Sequence, residues 1–518
     1  MKFEFFSNQE LPTLAWCALI KRDIEVVYVE HGNGVDIAED FFVEGAWNGK
    51  FSSGEFFKSD VFLGSGAMLQ KDRVLFCPTT HSMDRLYSLR TNDSLFVSNS
   101  LIYLLEASGK WFDYSEWRYE YWFMSFLYGL DYAMTEFFID SALLRFHYCA
   151  PFTVSRTLEV QTLNRPELPR FKSYNDYVET IRNWICALIE NAMDTKRLMQ
   201  FDPLTTISSG YDSVACAVLA EEIGCSEAIN IRDSRPVSGR SQNDSNDQIA
   251  AFLGLKVKHF SRSEIFELNG FPEAEFLASG AGGDDAVFAL FGTHLTSRIL
   301  FTGFLGDTLW GTTGPDPIRS TQFQYTYPPG ATLCEFRLKI GFIHLPIPLL
   351  TYPRHPDLRV IANSAEMANW RIGGAYDRPI PRRIIEERGI ARDMFAAEKS
   401  AVTLPLWSVS DVANYMNPKS VKSLESYTHR LITEHSPNLG SRLRYWRDAT
   451  LARIEPYCSE TIFWKITKLI RMITGEFYCR NSVWYRASTI NNLLKFHWAA
   501  DEVRKRYQNT VFVKEKIN

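Results

Sequence analysis

The sequence predicts a mixed α/β protein, with a strand-rich N-terminal part and a C-terminal part built on an open parallel sheet. Up to about residue 170, short alternating or apolar segments are separated by Gly, Asn and Asp, which is typical of strands and turns. Beyond about residue 200, apolar strand-like segments alternate with helical segments. This order is expected for parallel strands with helices on both faces of the sheet.

Hydrophobic periodicity and the residues that bound each segment give the predicted elements. In the N-terminal part we expect strands at 14–20, 24–29, 73–77 and 94–98, and helices at 101–107 and 114–129. A polar, proline-bearing stretch at 164–169 is the expected linker, so the predicted domains are residues 1–170 and 171–518. A long helix at 174–199 follows, then strands before Ser208 and at 228–232, 257–260 and 298–302. From about residue 400 the chain is predicted to be mainly helical.

The composition excludes several classes of protein. A net charge of -5 and a pI near 6.1 argue against a mainly electrostatic nucleic-acid binder. The nine cysteines are scattered without C-x-x-C pairs, which favours a reduced, cytoplasmic chain over a disulfide scaffold or a zinc protein. The sequence shows neither a signal-type segment nor an apolar run long enough to span a bilayer, so we expect a cytoplasmic protein without a membrane span.

The most informative segment is Ser208-Ser209-Gly210-Tyr211-Asp212-Ser213, which follows an apolar strand and leads into a helical run. Small residues at such a turn let backbone N–H groups and serine hydroxyls surround a phosphate, whose charge the helix N-terminus favours. Asp212 fits this picture if it holds a divalent cation that bridges to the phosphates. The alternative is an ordinary helix start, in which Ser208 or Ser209 caps the helix and Asp212 adds charge to its first turn.

A second loop of the same kind follows the predicted strand at 298–302. It is rich in glycine and carries Asp307. Ligands of open α/β sheets bind at the carboxyl ends of the strands. The two loops are therefore expected to face one pocket.

Several segments, in this order, resemble motifs of the asparagine synthetase superfamily, which includes class B asparagine synthetases, β-lactam synthetases and lasso-peptide cyclases. Residues 208–213 resemble its Ser-Gly-Gly-x-Asp-Ser loop, and residues 302–311 (TGFLGDTLWG) resemble its second signature, SGEGADELFG. Residues 377–399 resemble a late basic stretch that delivers a lysine, here Lys399, to the phosphates. In the N-terminal part, residues 84–89 and 96–100 are similar to two segments of the family's glutaminase domain.

The resemblance implies an N-terminal glutaminase-type sandwich of the Ntn-hydrolase class and a C-terminal ATP-pyrophosphatase domain, of the adenine nucleotide α-hydrolase type, with extra helices. It also implies a ligase that adenylates a carboxylate with ATP, releases pyrophosphate and joins the acyl group to an amine. The implied catalytic residues are Asp212, Asp307 and Lys399, with the two aspartates holding Mg²⁺. The implied ATP and pyrophosphate contacts are Ser208, Ser209, Gly210, Asp212 and Ser213, with Ile207, Ile231 and Gly303 beside the adenosine. The partners would be a small-molecule or peptide carboxylate and an amine, and a homodimer is left open.

Departures from the family pattern restrict the expected chemistry. The glutaminase reaction needs an N-terminal nucleophilic cysteine, but Lys2 follows Met1, and the first cysteine, Cys17, lies in an apolar segment typical of a core. The amine is therefore expected from a source other than glutamine. Phe304 stands where the family has Glu, β-lactam synthetases have Tyr and lasso-peptide cyclases have His, so the general base cannot be at this position. Thr308 and Ser209 replace an acid and a glycine.

Two hypotheses from different classes therefore remain. The first is an ATP- and Mg²⁺-dependent amide- or lactam-forming enzyme of a specialised peptide, natural-product or glycan pathway. The second is a catalytically degenerate relative that acts as a nucleotide-binding regulator or a scaffold. Three further pairs of residues each have a functional and a simpler interpretation. Asp284 and Asp285 add charge near the magnesium or lie in a solvated loop, and Arg382 and Arg383 bind phosphate or are surface charges. Asp244 and Asp247 order the loop over the nucleotide or cap a helix.

Overall fold

The protein is described by a computed structural model that covers most of the chain. The described residues are 1–114, 119, 123, 134–236, 242–280, 282–312, 333–374, 377–394, 400–401, 403–404, 406, 409–434, 450, 462, 465–466, 469–470, 472–473 and 489–514. Lys399 and most of the helix predicted at 114–129 lie outside these residues.

Among its described residues, the N-terminal part contains thirteen strands in two sheets. The strands are β1 (Lys2–Ser7), β2 (Trp16–Lys21), β3 (Val26–His31), β4 (Asp36–Ile37), β5 (Phe41–Trp47), β6 (Phe62–Gln70), β7 (Arg73–Cys77), β8 (Leu86–Arg90), β9 (Ser94–Ser98), β10 (Glu136–Ile139), β11 (Ala142–His147), β12 (Phe152–Ser155) and β13 (Val160–Thr162). One sheet has the order β1-β3-β2-β9-β8-β11-β10 and the other β13-β12-β7-β6-β5-β4. Neighbouring strands are antiparallel except β1 and β3, which are parallel.

The two sheets share one apolar core, because alternate residues of each strand point to the same face. Trp16 and Ala18 of β2 lie in the same buried cluster as Phe76 of β7. The intervening Cys17 faces the other way and joins the cluster of helix α1 (Leu101–Ser108). Helix α1 begins after Ser100, whose hydroxyl accepts the Tyr103 N–H, and it ends at a glycine with positive φ. The predicted strands and first helix of this part are confirmed within two residues.

The C-terminal part is built on a parallel sheet. Its strands are β14 (Asp202–Thr206), β15 (Glu227–Ile231), β18 (Lys256–Phe260), β19 (Arg298–Thr302) and β20 (Ile343–Pro346), in the order β18-β15-β14-β19-β20. All four neighbouring pairs are parallel. The connections between the first three strands include helices α3 (Tyr211–Glu221) and α4 (Asp247–Phe252), and α2 (Tyr174–Ala192) precedes the sheet. The predicted alternation of strands and helices is thus confirmed.

The strand order places the two predicted loops side by side. From β14 the chain first proceeds to β15 and β18 on one side, and then crosses to β19 and β20 on the other. The order therefore reverses between β14 and β19, and a crevice opens at the carboxyl ends of the strands at such a point. The loop after β14 carries Ser208–Ser213, and the loop after β19 carries Gly303–Asp307.

Further elements surround this sheet. A small antiparallel sheet joins β16 (Asp233–Pro236), β17 (Gln242–Asn243) and β21 (Ser400–Ala401). Further helices of the described part of the chain are α5 (Ala274–Leu277), α6 (Gly306–Leu309), α7 (Cys334–Ile340), α8 (His355–Asn363), α9 (Pro379–Glu387), α10 (Val409–Tyr415), α11 (Pro418–Glu434), α12 (Thr489–Arg504) and α13 (Val511–Lys514). Within the described residues, no helix has both the length and the apolar character needed to cross a bilayer.

The structure differs from the predicted elements in two places. The helix predicted at 174–199 ends at Ala192, because the chain then turns to bury Arg197, which pairs with Asp36 of the N-terminal sheets at 3.0 Å. The apolar run from Ile340, for which no strand is predicted, contains strand β20. Pro346 ends this strand at the edge of the sheet, where a missing N–H is tolerated.

A buried ion pair joins the two parts of the chain. The Arg337 guanidinium on α7 donates from Nη1 and Nη2 to the two carboxylate oxygens of Glu44 on β5, at 2.7 and 3.0 Å. Asp84 lies 3.2 Å from the Nε of the same arginine. Both Glu44 and Arg337 are buried, so neither charge is left to water.

A second buried contact across the parts centres on Glu335, in the first turn of α7. Its carboxylate accepts the Ser100 hydroxyl at 2.6 Å and the Tyr507 hydroxyl at 3.0 Å. Burial raises the pKa of Glu335 from 4.5 to about 7, although these two hydrogen bonds oppose the rise.

The raised pKa of Glu335 predicts a pH-dependent stability. The contribution of Glu335 to the free energy of unfolding is fully present below pH 4.5, where this residue is protonated in the folded and the unfolded chain. It is lost as the pH rises through about 7. The difference between the pKa of Glu335 in the folded chain and its ordinary value corresponds to about 3 kcal/mol of stability. We therefore expect Glu335→Gln to become more stable relative to the wild type between about pH 5 and about pH 8, as measured by thermal unfolding midpoints. The exposed Glu10→Gln is the control, and an unchanged difference between Glu335→Gln and the wild type would contradict the prediction.

Candidate functional site

The loop after β14 is closed by serine hydroxyls. Ser208 Oγ accepts the Gly210 N–H at 3.2 Å and lies 2.6 Å from Ser213 Oγ. The Ser213 hydroxyl also contacts the Gly210 carbonyl at 3.1 Å. Helix α3 is preceded by Gly210, without a side-chain cap, so the interpretation of Ser208 or Ser209 as the helix cap is wrong. The loop therefore has its own hydrogen-bonded form at the start of a helix.

Asp244 orders the same loop from the side of β15. Its Oδ1 accepts both the backbone N–H and the hydroxyl of Ser209, the former at 3.0 Å. Asp244 is buried, and its carbonyl accepts the Asn230 side-chain amide at 3.1 Å. The neighbouring Asp247 instead lies 3.1 Å from His259 Nε2. Of the two acids considered for loop ordering, only Asp244 holds the loop directly.

Asp212 packs tightly against the second loop. A Cβ atom on Gly303 would lie 2.7 Å from the Asp212 carbonyl carbon, and one on Gly306 would lie 2.6 Å from Asp212 Cγ. Real Cβ atoms do not approach so closely, so these two positions accept only glycine as the structure stands. Asp307 follows Gly306 in the first turn of α6. The structure thus brings the Asp212 loop and the Asp307 loop into contact.

The residues expected beside adenosine lie at the ends of adjacent strands. Ile207 donates its N–H to Ile229 of β15 at 3.0 Å, and its carbonyl accepts the Asn230 side chain at 2.7 Å. Ile231 ends β15, and Gly303 begins the loop after β19. Ile207 and Ile231 are both buried. All three positions therefore lie along the carboxyl edge of the sheet.

The segment that carries Lys399 reaches the same region from the C-terminal side. Lys399 itself lies outside the described residues. Its neighbour Ser400 pairs with Pro236 of β16, in the strand that follows β15. Further on, the Leu404 N–H donates to the Asp284 carbonyl at 2.8 Å.

Phe304 contacts two aromatic rings. Its ring is 5.2 Å from the His344 ring and 6.0 Å from the Phe288 ring, measured between centroids. His344 Nε2 and the Thr302 hydroxyl are hydrogen-bonded at 2.7 Å. Burial, and then repulsion from His81 and Arg337, hold the pKa of His344 well below its ordinary value, so this imidazole is neutral.

The two arginines of α9 have different environments. Arg383 lies over the rings of Tyr174 and Trp370, at 3.9 and 4.3 Å from their centroids, and donates to Glu387 at 2.7 Å. These contacts account for Arg383 as a packing residue. Arg382 is fully buried, and its guanidinium lies 4.8 Å from the ring of Tyr211, the first residue of α3.

Two arginines that the sequence motifs do not mark as site residues contact the Asp307 loop. The Arg378 guanidinium donates to the backbone carbonyl of Asp307, and Arg359 Nη2 donates to the carbonyl of Thr308 at 3.2 Å. These carbonyls lie in the last turn of α6, where no helical N–H is available to them. Arg359 comes from α8, whose sequence carries no motif, so only the fold could reveal this contact.

The donor set fits Mg²⁺ bound together with phosphates. Among the described residues there is no group of three or more His, Cys, Asp or Glu side chains placed to hold a metal ion. Mg²⁺ in nucleotide sites is usually held by one or two carboxylates plus phosphate oxygens and water. Asp212 and Asp307, on loops in contact, match this smaller set.

Cys17 has the properties expected of a core thiol. It is fully buried in β2, and burial, followed by the nearby charge of Glu30, raises its pKa well above the ordinary value. A thiol of this kind stays protonated at neutral pH and is a poor nucleophile.

Comparison with known proteins adds no relative. No protein-family model matches the chain, and no curated protein is similar enough to count as a match. The resemblance to the asparagine synthetase superfamily therefore stays a prediction from the motifs.

The contact between the loops predicts that Gly306→Ala is destabilising. The new Cβ would collide with the Asp212 side chain, and overpacking of this kind costs about 1–3 kcal/mol. We expect a lower midpoint of thermal unfolding. The control is Gly282→Ala, where the nearest atom to the added Cβ lies 3.7 Å away. Equal midpoints for the two variants would show that the loops are not in this contact.

The environment of Cys17 predicts that it resists alkylation in the folded protein. Cys186 on α2 is exposed and provides an internal control. With iodoacetamide under native conditions, we expect mass spectrometry to find Cys186 modified and Cys17 unmodified until the chain is unfolded, because the thiolate is the reactive form. Modification of both cysteines at similar rates would refute the assignment of Cys17 to the core.

Proposed function

We propose that this protein is an ATP-dependent carbon–nitrogen ligase that activates a carboxylate as its adenylate and transfers the acyl group to an amine. The bond between the α and β phosphates of ATP breaks as the carboxylate oxygen binds the α phosphorus, and pyrophosphate leaves. The amine nitrogen then bonds to the acyl carbon, the bond from this carbon to the adenylate oxygen breaks, and AMP leaves. The amine loses a proton in this second step.

One observation carries the proposal: the two motif loops meet at the point where the strand order of the parallel sheet reverses. Asp212 fits against Gly303 and Gly306 there, with no space for a side chain at either glycine. Crevices at such points bind nucleotides in open α/β sheets. The position of the loops and their residue types thus support the same type of ligand.

The chain's own residues have distinct roles in this proposal. The hydroxyls of Ser208, Ser209 and Ser213 and the Gly210 amide contact the leaving pyrophosphate at the helix start. Asp212 and Asp307 would hold Mg²⁺, which would supply positive charge to the phosphates. Lys399 adds a positive charge where negative charge grows on the departing group.

The proposal includes a division of the chain into two domains. Residues 1–170 form a glutaminase-type sandwich of the Ntn-hydrolase class without its nucleophile, and residues 171–518 form an ATP-pyrophosphatase domain with additional helices. The paired antiparallel sheets and the order of the parallel sheet support this division. The burial of Cys17 supports an amine source other than glutamine.

The second candidate function is nucleotide binding without catalysis, by a regulator or scaffold. It is favoured by the bond from the Ser209 amide to Asp244, because this carboxylate occupies a donor that a phosphate would use. The two functions differ in a measurable way: only a ligase releases pyrophosphate when a carboxylate is present.

The proposed activity is tested by ATP–pyrophosphate exchange over a pool of carboxylates. We expect exchange by the wild type, and a loss of roughly 100-fold or more in Asp212→Ala and in Lys399→Ala, because Asp212 would hold the cation on the phosphates and Lys399 would add a positive charge there. Asp202→Asn is the control: this exposed acid lies at the opposite end of the same strand, β14, and should not change the rate.

The possible outcomes separate the candidates. No exchange with any carboxylate, together with binding of an AMP analogue, would favour the regulator. If neither exchange nor binding is seen, the nucleotide site itself is refuted. Wild-type exchange in Asp212→Ala, with the variant folded by circular dichroism, would refute the assignment of this residue.

A further inference from the structure

Positive charge is concentrated behind the Asp307 loop. Arg378 and Arg359 come from different helical segments and donate to the carbonyls of consecutive residues, Asp307 and Thr308. Arg382 lies one helical turn after Arg378, and residues four apart lie on the same side of a helix. We call Arg359, Arg378 and Arg382 the arginine cluster.

The cluster brings like charges together in a buried place. Arg359 and Arg382 are at least nine-tenths buried, and so is Arg378. Arg359 and Arg378 lie near each other, because they donate to carbonyls of consecutive residues. Burial lowers the pKa of Arg359, and repulsion by Arg378 lowers it further. A buried charge is costly unless it is neutralised by an opposite charge.

The cluster also keeps donors that no described group uses. Arg359 Nη1 and Arg382 Nε and Nη2 are buried without a hydrogen-bond partner in the described part of the chain. Most buried polar groups are paired, so such donors require an explanation. Asp377 lies 3.4 Å from Arg382 Nη1, but it also accepts the backbone N–H groups of Ile372 and Gly373. Asp377 thus provides no acceptor for Arg359 Nη1 or for Arg382 Nε and Nη2.

We propose that the arginine cluster binds an oxyanion, a carboxylate or phosphate group, carried by the substrate that is activated next to Asp307. Guanidinium groups suit such ligands because their planar set of donors matches two oxygens of a carboxylate or phosphate. The substrate would then be an acid with a second anionic group. This assignment of the ligand rests on the proposed function, whereas anion binding itself can be measured without turnover.

The test uses the full chain without Mg²⁺ or ATP, and succinate and inorganic phosphate as probes. A ligand that binds only the folded state raises the thermal unfolding midpoint. We expect at least one of the two anions to raise the midpoint of the wild type, and Arg359→Gln to need roughly ten-fold more of it for the same shift. A stronger effect of succinate indicates a carboxylate on the substrate, and a stronger effect of phosphate indicates a phosphoryl group.

The matched control is Arg388→Gln, on the residue that follows α9, where the side chain is partly exposed and pairs with Glu221 at 3.1 Å. It should respond to both anions like the wild type. If Arg359→Gln does not fold, Arg359→Lys provides the test, since it keeps the charge but loses the planar set of donors. No response of the wild type, or equal responses of wild type and Arg359 variant, would overturn the proposal.

Failure of this inference is distinguishable from failure of the proposed ligase function. Asp212→Ala should lose ATP–pyrophosphate exchange but keep the anion response. An anion response in a protein that shows no exchange would refute the ligase and support the arginine cluster as an anion site. Exchange without an anion response would support the ligase and refute the arginine cluster as an anion site.

Discussion

The candidate site depends on one steric constraint, the close approach of two strand ends. The helix that starts at Tyr211 places Asp212 against the backbone of the next loop, and only glycine at 303 and 306 leaves the space that it needs. This contact fixes the distance between the two motif loops. It also sets the position of Asp307, and through its carbonyl the position of Arg378. A substitution at either glycine would therefore displace the other groups of the candidate site.

Much of this arrangement could be predicted from the sequence, because it rests on local patterns. Apolar β-branched runs and small-residue turns gave the strands at 298–302 and 73–77 to the residue. The alternation of strands with helices then indicated a parallel sheet. In such sheets the carboxyl ends of strands share one edge, so the sequence alone predicts that Asp212 and Asp307 lie close together.

The remainder could not be predicted, since it depends on contacts between distant parts of the chain. The end of α2 at Ala192 is set by the burial of Arg197 beside Asp36, about 160 positions earlier in the sequence. Nothing in the segment around Arg359 marks it as a neighbour of Thr308. Tertiary contacts of this kind override local propensity, and they decide which charged residues are buried.

The ion pair between Glu44 and Arg337 has a consequence for how the chain can be divided. Removing the N-terminal sheets would take away the bidentate partner of Arg337 and would expose to water the apolar cluster that the two parts of the chain share. The linker near residue 165 is thus a boundary in the sequence but not in folding energy. Glu44 of the N-terminal sheets thus serves as the counter-ion of a buried arginine in the other half of the protein.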